Sequence, residues 1–548
     1  MASKPRLILI AVAVILMLSM AAATVIERRY GRGCACGTVY GSWWFLMLWV
    51  VLVMPSLTFF FKKRLRQRHG LALLHLSLVI ILLGASVTRL TSVNGRLRLH
   101  AGIPASYFTT DDGRVCNLPF STELDSCSVV TSPATGAVMD YRACITVHTR
   151  SAHSSQSISM NNIGHASGYR LYISSFDADG RGVILLVSYD PYGTAITYTG
   201  FLFFLVGMVW SVFSRRSLMR HLYRIAMSPA VIILLLSPLF SHCPPCVAAP
   251  KSGSALTGCS PNILLGSAVP YGYVKADVFS VANIAETLYD TLRSEVWPAY
   301  ACLALSLLLC VPRFRRHAPC LLSCVFPYVL FFLISLHVLL RWTVTGHAPV
   351  SDIPETLLLM SWLSSALSLV VRRRVPALGL LCPVIASVCM SGSLLSDSVS
   401  HLSSLPPVLR SPLLSVHVVL VMVSYTLLSC ITLLSVRSLL PGCLPDTLPR
   451  LTALSRLLLY PAVLFLASGI IAGAVWANIS WGTYWSWDAK ETWALLTLMA
   501  YLAPFHIRRL DGESSPRLYH IYVLVSFLVV IATYFGVSYL LPGMHSYA

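Results

Sequence analysis

Charge is what this sequence has least of. Of 548 residues only 11% are Asp, Glu, Lys or Arg, and the acidic ones number 21. A water-exposed globule of this length carries more charge than that on its surface, so an ordinary soluble protein is excluded. The chain also lacks an internal repeat and a long disordered linker, which excludes a solenoid or a string of tethered modules.

What it has instead is apolar length, with 56% hydrophobic residues. Runs near 20 residues cross a hydrocarbon core of ~30 Å at ~1.5 Å per residue. They recur at 7–26, 43–61, 71–90, 195–213, 225–240, 297–311, 320–340, 354–371, 375–392, 412–434, 457–477, 491–506 and 519–541. The expected fold class is a polytopic α-helical membrane protein of about thirteen transmembrane helices, with a small β-rich external domain after the third span.

Basic residues mark one side. Lys4 and Arg6, KKRLRQRH, SRRSLMRHLYR, PRFRRH, RRRV, the loop 435–456 and HIRRLDGESSPR hold more than half of the 40 Lys and Arg. They fall in alternate loops, as cytoplasmic loops do. The formal charge of +19 is therefore a topology signal, and lipids rather than nucleic acid are the expected surroundings. The first span follows Lys4 and Arg6 and ends at Ala21-Ala22-Ala23; its length favours a retained anchor over a cleaved signal peptide.

Three parts follow from this pattern: 1–240 with five spans, an external connecting segment 241–296, and 297–548 with eight spans. Within the first, 91–193 alternates apolar and polar residues, as in RLRLH and GYRLYISSF, with turn signals DDG and DADG; that is a β-rich pattern. In the connecting segment, NIAETLYDTLRSEVW reads as an amphipathic helix.

Of the sixteen cysteines, seven lie in apolar spans as small hydrophobes. Cys34, Cys36, Cys116, Cys127, Cys144, Cys243, Cys246 and Cys259 fall outside, where disulfides form but sequence does not give their pairing. The HCPPC stretch, 242–246, places His before the first Cys. It is not a haem-attachment motif, and reads as a structural disulfide or unpaired thiols ahead of a redox relay.

Four histidines sit in or beside spans. His75 and His506 lie near the cytoplasmic ends of the third and twelfth; His417 and His545 lie near the external ends of the tenth and last. At the level of the outer pair lies WGTYWSWDAKETW, with Trp481, Trp485, Trp487 and Trp493 interleaved with Asp488, Lys490 and Glu491. Four tryptophans so close exceed what an interfacial anchor needs. Two imidazoles at one depth suit the axial positions of a six-coordinate haem iron, and a haem face packs on aromatic rings. The plainer reading is that each histidine bonds a neighbouring polar group and the tryptophans form a belt. Arg341, Arg410 and Lys490 lie on the outer side, as propionate partners or as membrane-edge charges. His337 reads as a packing residue.

The tryptophan stretch resembles the WWD signature of haem-handling proteins. GHAPVSDIPETLLLMSW, SVHVVLVMVSYTLL, GAVWAN, HIR and LPGMHSYA are similar to the CcsA-type branch of cytochrome c biogenesis. HLSLVIILLGASVTRL, LPFSTELDS and YISSFDADGRGVILLVSYDPYGTAITYTGF resemble the CcsB-type partner. Together they resemble the fused CcsB–CcsA cytochrome c synthases of system II, over most of the chain. The resemblance implies an enzyme, a holocytochrome c synthase of the bacterial inner membrane. Haem b would be its substrate and bound ligand, and apocytochrome c and a thioredoxin-like external thiol reductant its partners. It implies His75 and His506 as transmembrane haem ligands and His417 and His545 as external ones. Trp481, Gly482, Trp485, Trp487 and Asp488, in the loop 476–493, become the haem platform, with His417, His545 and Asp488 serving attachment. His347 also falls in a family motif. Ala489 stands where the family usually has proline, and Ile353-Pro354-Glu355 where an aromatic usually precedes the Glu.

Overall fold

A computed structural model describes residues 4–57, 69–110, 113–131, 138–149, 152–177, 181–213, 284–292, 297–311, 314–315, 320–373, 375–396, 407–441, 447–512 and 514–541. The expected span 225–240, the HCPPC stretch and His545 lie outside the described residues.

The chain opens with α1 (Lys4–Tyr30), a short turn Arg32–Tyr40, α2 (Trp43–Val53) and α3 (His69–Thr91). Eight strands follow: β1 (Val93–His100), β2 (Ala105–Thr110), β3 (Val115–Thr131), β4 (Val138–His148), β5 (His153–Ser159), β6 (Gly164–Ala166), β7 (Tyr169–Phe176) and β8 (Gly182–Tyr189). Then come α4 (Gly193–Phe213), α5 (Trp297–Cys310), α6 (Cys320–Thr345), α7 (Ile353–Val371), α8 (Pro376–Leu395), α9 (Pro412–Leu439), α10 (Leu448–Trp481), α11 (Ala489–His506) and α12 (Pro516–Ile531). The last continues through a π turn, Ala532–Gly536, to Leu540.

Nine helices are long and apolar enough to cross a membrane among the described residues, ten if the bent pair Arg32–Tyr40 and Trp43–Leu57 is one span. Two further expected spans are the shorter α5 and the more polar α11. The protein is a multi-pass membrane protein with a β-sheet domain inserted between α3 and α4.

The sheet is antiparallel in the order β5-β4-β3-β2-β1-β8-β7-β6. Alternate residues of each strand point inward, so Leu97, Leu99, Ile145, Leu171, Leu185 and Val187 share one core. Its two ends meet. The Gln156 amide on β5 donates to His165 O (2.8 Å) and accepts from His165 N (2.9 Å), so one side chain replaces a backbone rung and closes the edge.

α3 and α4 run back to back beneath the sheet. Gly193, Gly200 and Gly207 recur every seven residues along one face of α4. A Cβ at Gly200 would stand 2.6 Å from Ile81 Cγ1, and one at Gly207 2.8 Å from Leu74 N; small residues let membrane helices approach this closely. The same device joins α9 to α10. Gly469 lies against Val421 and Gly473 against the His417 ring, while Ser424 Oγ donates to Ala462 O at 2.8 Å. The main apolar core runs through α7–α12.

Candidate functional site

The tryptophan loop is held at both ends by its own sequence. α10 stops at Gly482, whose φ of 81° is left-handed, a conformation glycine adopts without strain. α11 starts at Asp488, which with Glu491 forms a capping box. Asp488 Oδ1 accepts from Lys490 N at 2.9 Å. Glu491 Oε2 accepts from Ser486 N at 2.8 Å and Asp488 N at 3.2 Å. Asp488 is buried, and the task its carboxylate displays here is to start a helix.

Partners from the N-terminal part grip the loop from two sides. On one, Trp487 stacks on Tyr40, centroids 4.8 Å apart and planes 11° from parallel, with Phe45 edge-on at 5.2 Å. Trp487 takes a φ of 58°, uncommon for a bulky side chain, so these contacts must sustain it. Arg32 Nη2 donates to Ser486 O at 2.9 Å, and Trp493 Nε1 to Thr24 Oγ1 at 3.2 Å. On the other, β7 and β8 close over Asn478 and Gly482, and Tyr484 Oη donates to Thr88 Oγ1 at 3.0 Å. Sheet and loop therefore lie on the same side of the bundle. Trp485 meets Trp487 edge-on at 5.7 Å, and Trp481 meets Trp476 at 4.7 Å.

His75 and His506 lie toward the other side. They come from α3 and α11, yet their ring centroids are 6.3 Å apart. His75 Nδ1 faces Leu71 O at 2.8 Å and His506 Nδ1 faces Leu502 O at 3.0 Å. A ring nitrogen facing a carbonyl carries the proton, so each bond selects the Nδ1–H tautomer and gives Nε2 the lone pair a metal takes. His417 Nδ1 faces Gly469 O at 2.7 Å, the same arrangement across two helices. Gly473 makes its room: a Cβ there would stand 2.7 Å from His417 Nδ1.

Other expected residues are engaged elsewhere. Arg341 Nε donates to Glu355 Oε1 at 2.9 Å, both side chains nearly sealed from solvent, so Glu355 is the partner Arg341 has here. Glu355 Oε2 also accepts from Ser351 N at 2.9 Å. Arg410 is exposed and Lys490 half-buried. His337 is buried with its ring 5.1 Å from Tyr289, as a packing residue is. His347 Nδ1 faces Ala348 O at 3.0 Å. Cys34, Cys36, Cys116 and Cys144 are free thiols.

Known sequences bear on this arrangement. Residues 328–545 match the family described as cytochrome C assembly protein, and 56–188 the ResB-like family. The cytochrome c biogenesis protein CcsA of Prochlorococcus marinus (strain MIT 9215) is 34% identical over 39% of this chain and 81% of its own length. The chain belongs to the CcsA family of cytochrome c biogenesis proteins. The CcsA of Chlamydomonas reinhardtii is 35% identical over 39% of this chain and 65% of its own length. Protein NrfI of Wolinella succinogenes is 31% identical over 48% of this chain, a match that spans 31% of NrfI. The ResB-like match lies in the same polypeptide, so this is a fused CcsB–CcsA chain.

Several residues that build this arrangement escaped the sequence reading. Asn478, Arg170, Tyr172, Tyr198 and Tyr40 carry no motif chemistry of their own. The Asp-x-x-Glu of 488–491 did carry a signal, since it is a capping pattern. His520 was also missed. It is fully buried, bridging Thr452 Oγ1 on α10 and Ser435 Oγ on α9 at 2.9 Å each.

Proposed function

We propose that this chain is a holocytochrome c synthase that moves haem to the outer face of a bacterial cytoplasmic membrane and attaches it covalently to apocytochrome c. The observation that carries the reading is the His75–His506 pair. Two metal–imidazole bonds of ~2 Å, with ~1.1 Å from each nitrogen to its ring centre, put the centroids of a bis-histidine complex about 6 Å apart. The observed 6.3 Å fits that separation, and both Nδ1 bonds leave Nε2 as the ligating atom.

Haem b is the substrate. It is held first between His75 and His506, then at the outer side by His417 and His545, with Trp481, Gly482, Trp485 and Trp487 as its platform. Asp488 serves through the loop it caps. Apocytochrome c brings a Cys-x-x-Cys-His peptide from the periplasmic side, its cysteines kept reduced by a thioredoxin-like thiol donor. Each thiol S–H adds across one haem vinyl C=C: sulfur takes one carbon, hydrogen the other, and nothing leaves. No oxidant is consumed. The enzyme's contribution is to hold two vinyls beside two thiols, which is proximity catalysis. The peptide histidine then takes an axial position from one outer ligand.

Coexpression of the chain with an apocytochrome, in cells lacking other maturation factors, tests the proposal. Covalent haem on the apocytochrome is expected. Haem bound to the purified chain without covalent product reduces the function to export or chaperoning; a spectrum without haem sinks both. His417→Ala should abolish attachment, with added imidazole restoring part of it.

A further inference from the structure

Asn478 sits one turn before the tryptophan loop and is almost completely buried. Both ends of its amide are committed to the ResB-like part. Arg170 Nη1 on β7 donates to Asn478 Oδ1 at 2.9 Å. Asn478 Nδ2 donates to Tyr198 Oη on α4 at 2.7 Å. Its backbone carbonyl accepts Tyr172 Oη at 3.0 Å as well as Gly482 N at 3.2 Å. Burial pushes the Tyr172 phenol up to about 12, so it remains a donor at any physiological pH.

The contacts then step onto the loop itself. Arg170 Nη2 reaches Gly482 O at 3.4 Å, and Ser188 Oγ on β8 donates to the same carbonyl at 3.2 Å. Gly482 has no room for a side chain on the face toward the sheet, because a Cβ there would stand 2.8 Å from Tyr172 Cε2 and 3.2 Å from Ser188 Cβ. One guanidinium thus ties the last turn of α10 to the residue at which the chain leaves the helix. Its acceptors, Asn478 Oδ1, Ser188 Oγ and Gly482 O, are all neutral, so charge pairing does not explain an arginine there. Its planar fork, spanning two acceptors a fixed distance apart, does.

We propose that Arg170, through Asn478 and Gly482, is a positioning residue that sets the tryptophan loop, so that the outer haem site is assembled jointly by the ResB-like barrel and the CcsA-like bundle. The inference rests on the haem reading above for its effect, but not for its geometry. It gives a physical reason for the two parts to occupy one chain: the loop's departure angle from α10 is fixed by side chains that α10 does not carry. A lysine cannot replace the arginine, because one ammonium does not reach both acceptors. An aspartate can replace Asn478, because it keeps the acceptor for Arg170 and Tyr198 can turn to donate.

The test uses the full chain in two backgrounds. In purified protein loaded with added haem, His75→Ala leaves only the outer site to hold it and His417→Ala only the inner one. Arg170→Ala should lower outer-site occupancy about tenfold in the first background and leave occupancy in the second unchanged. Arg170→Lys should behave like Arg170→Ala, Asn478→Asp should keep occupancy, and Asn478→Leu should lose it. Equal losses in both backgrounds make Arg170 a general fold residue and overturn the proposal, as does no loss in either. A haem-free wild-type chain defeats the haem reading instead. The clamp is then judged by a readout without haem: the rate at which a membrane-impermeant maleimide labels Thr483→Cys, resolved by peptide mass. Arg170→Ala should raise that rate several-fold, and an unchanged rate overturns the clamp.

Discussion

Trp487 lies flat on Tyr40, rings 4.8 Å apart and 11° from parallel, joining the middle of the tryptophan loop to the turn that follows the first span. The stack is worth ~0.5–1.5 kcal/mol beyond the area it buries, and it supports a tryptophan whose φ of 58° is unfavourable. Tyr40→Ala is expected to lower outer-site haem occupancy about tenfold, since ~1.4 kcal/mol is a factor of ten. Tyr40→Phe keeps the stack and loses only a 3.5 Å contact with Thr492, so it should stay near wild type. Reduced-minus-oxidised spectra of the purified His75→Ala protein, loaded with added haem, report both. If the two variants match, the stack does not hold Trp487.

The capping box separates two roles for Asp488. As an N-cap it tolerates Asn and not Ala, the Ala change costing ~1 kcal/mol. As a charge at the haem it tolerates neither. The yield of holocytochrome from Asp488→Asn and Asp488→Ala decides between them, and the geometry favours survival of the Asn variant. Glu491→Ala removes the acceptor shared by Ser486 and Asp488 and should be the most damaging of the three.

Gly473→Ala should phenocopy His417→Ala. Its methyl group would lie 2.7 Å from His417 Nδ1, so the imidazole must leave its place on Gly469 O. Added imidazole should restore attachment in His417→Ala but not in Gly473→Ala, where the native ring still occupies part of the space. Equal rescue of both would show that the glycine has another task.

Arg341 and Glu355 are a buried pair. Removing one partner strands a charge and costs ~3–5 kcal/mol, whereas replacing both with apolar residues is often neutral. Glu355→Gln and Arg341→Met should each lower the thermal midpoint of the detergent-purified protein, and Arg341→Met with Glu355→Leu should recover most of it. If the double variant is stable yet holds no haem, the pair serves the ligand rather than the fold.

The fold class was readable because a bilayer imposes length and polarity on each crossing. Backbone groups without water must pair within a helix, so an apolar run near 20 residues has few alternatives, and α1, α3, α4, α6–α10 and α12 follow from their runs alone. The β-rich insertion was readable from period-two alternation, although nothing in it announced that Gln156 would close the sheet. α11 shows the limit. Its apolar run, 491–506, was readable as a span, but Lys490 and Glu491 in its first turn make it the more polar crossing, and the cap gives the reason for the glutamate.

For the site, residue type and spacing were enough to mark the side chains that own metal-binding and aromatic chemistry: His75, His506 and His417, and the tryptophans of 481–493. It could not say that His75 on α3 and His506 on α11 stand 6.3 Å apart, that Gly473 makes room for His417, or that Arg170 and Tyr172 govern Asn478. Those depend on contacts between elements far apart in the chain, where a residue's role comes from what faces it. An asparagine, an arginine and a tyrosine have ordinary meanings in a sequence. Tertiary structure made them a clamp, because a buried amide must find partners and the nearest ones belong to the other half of the protein.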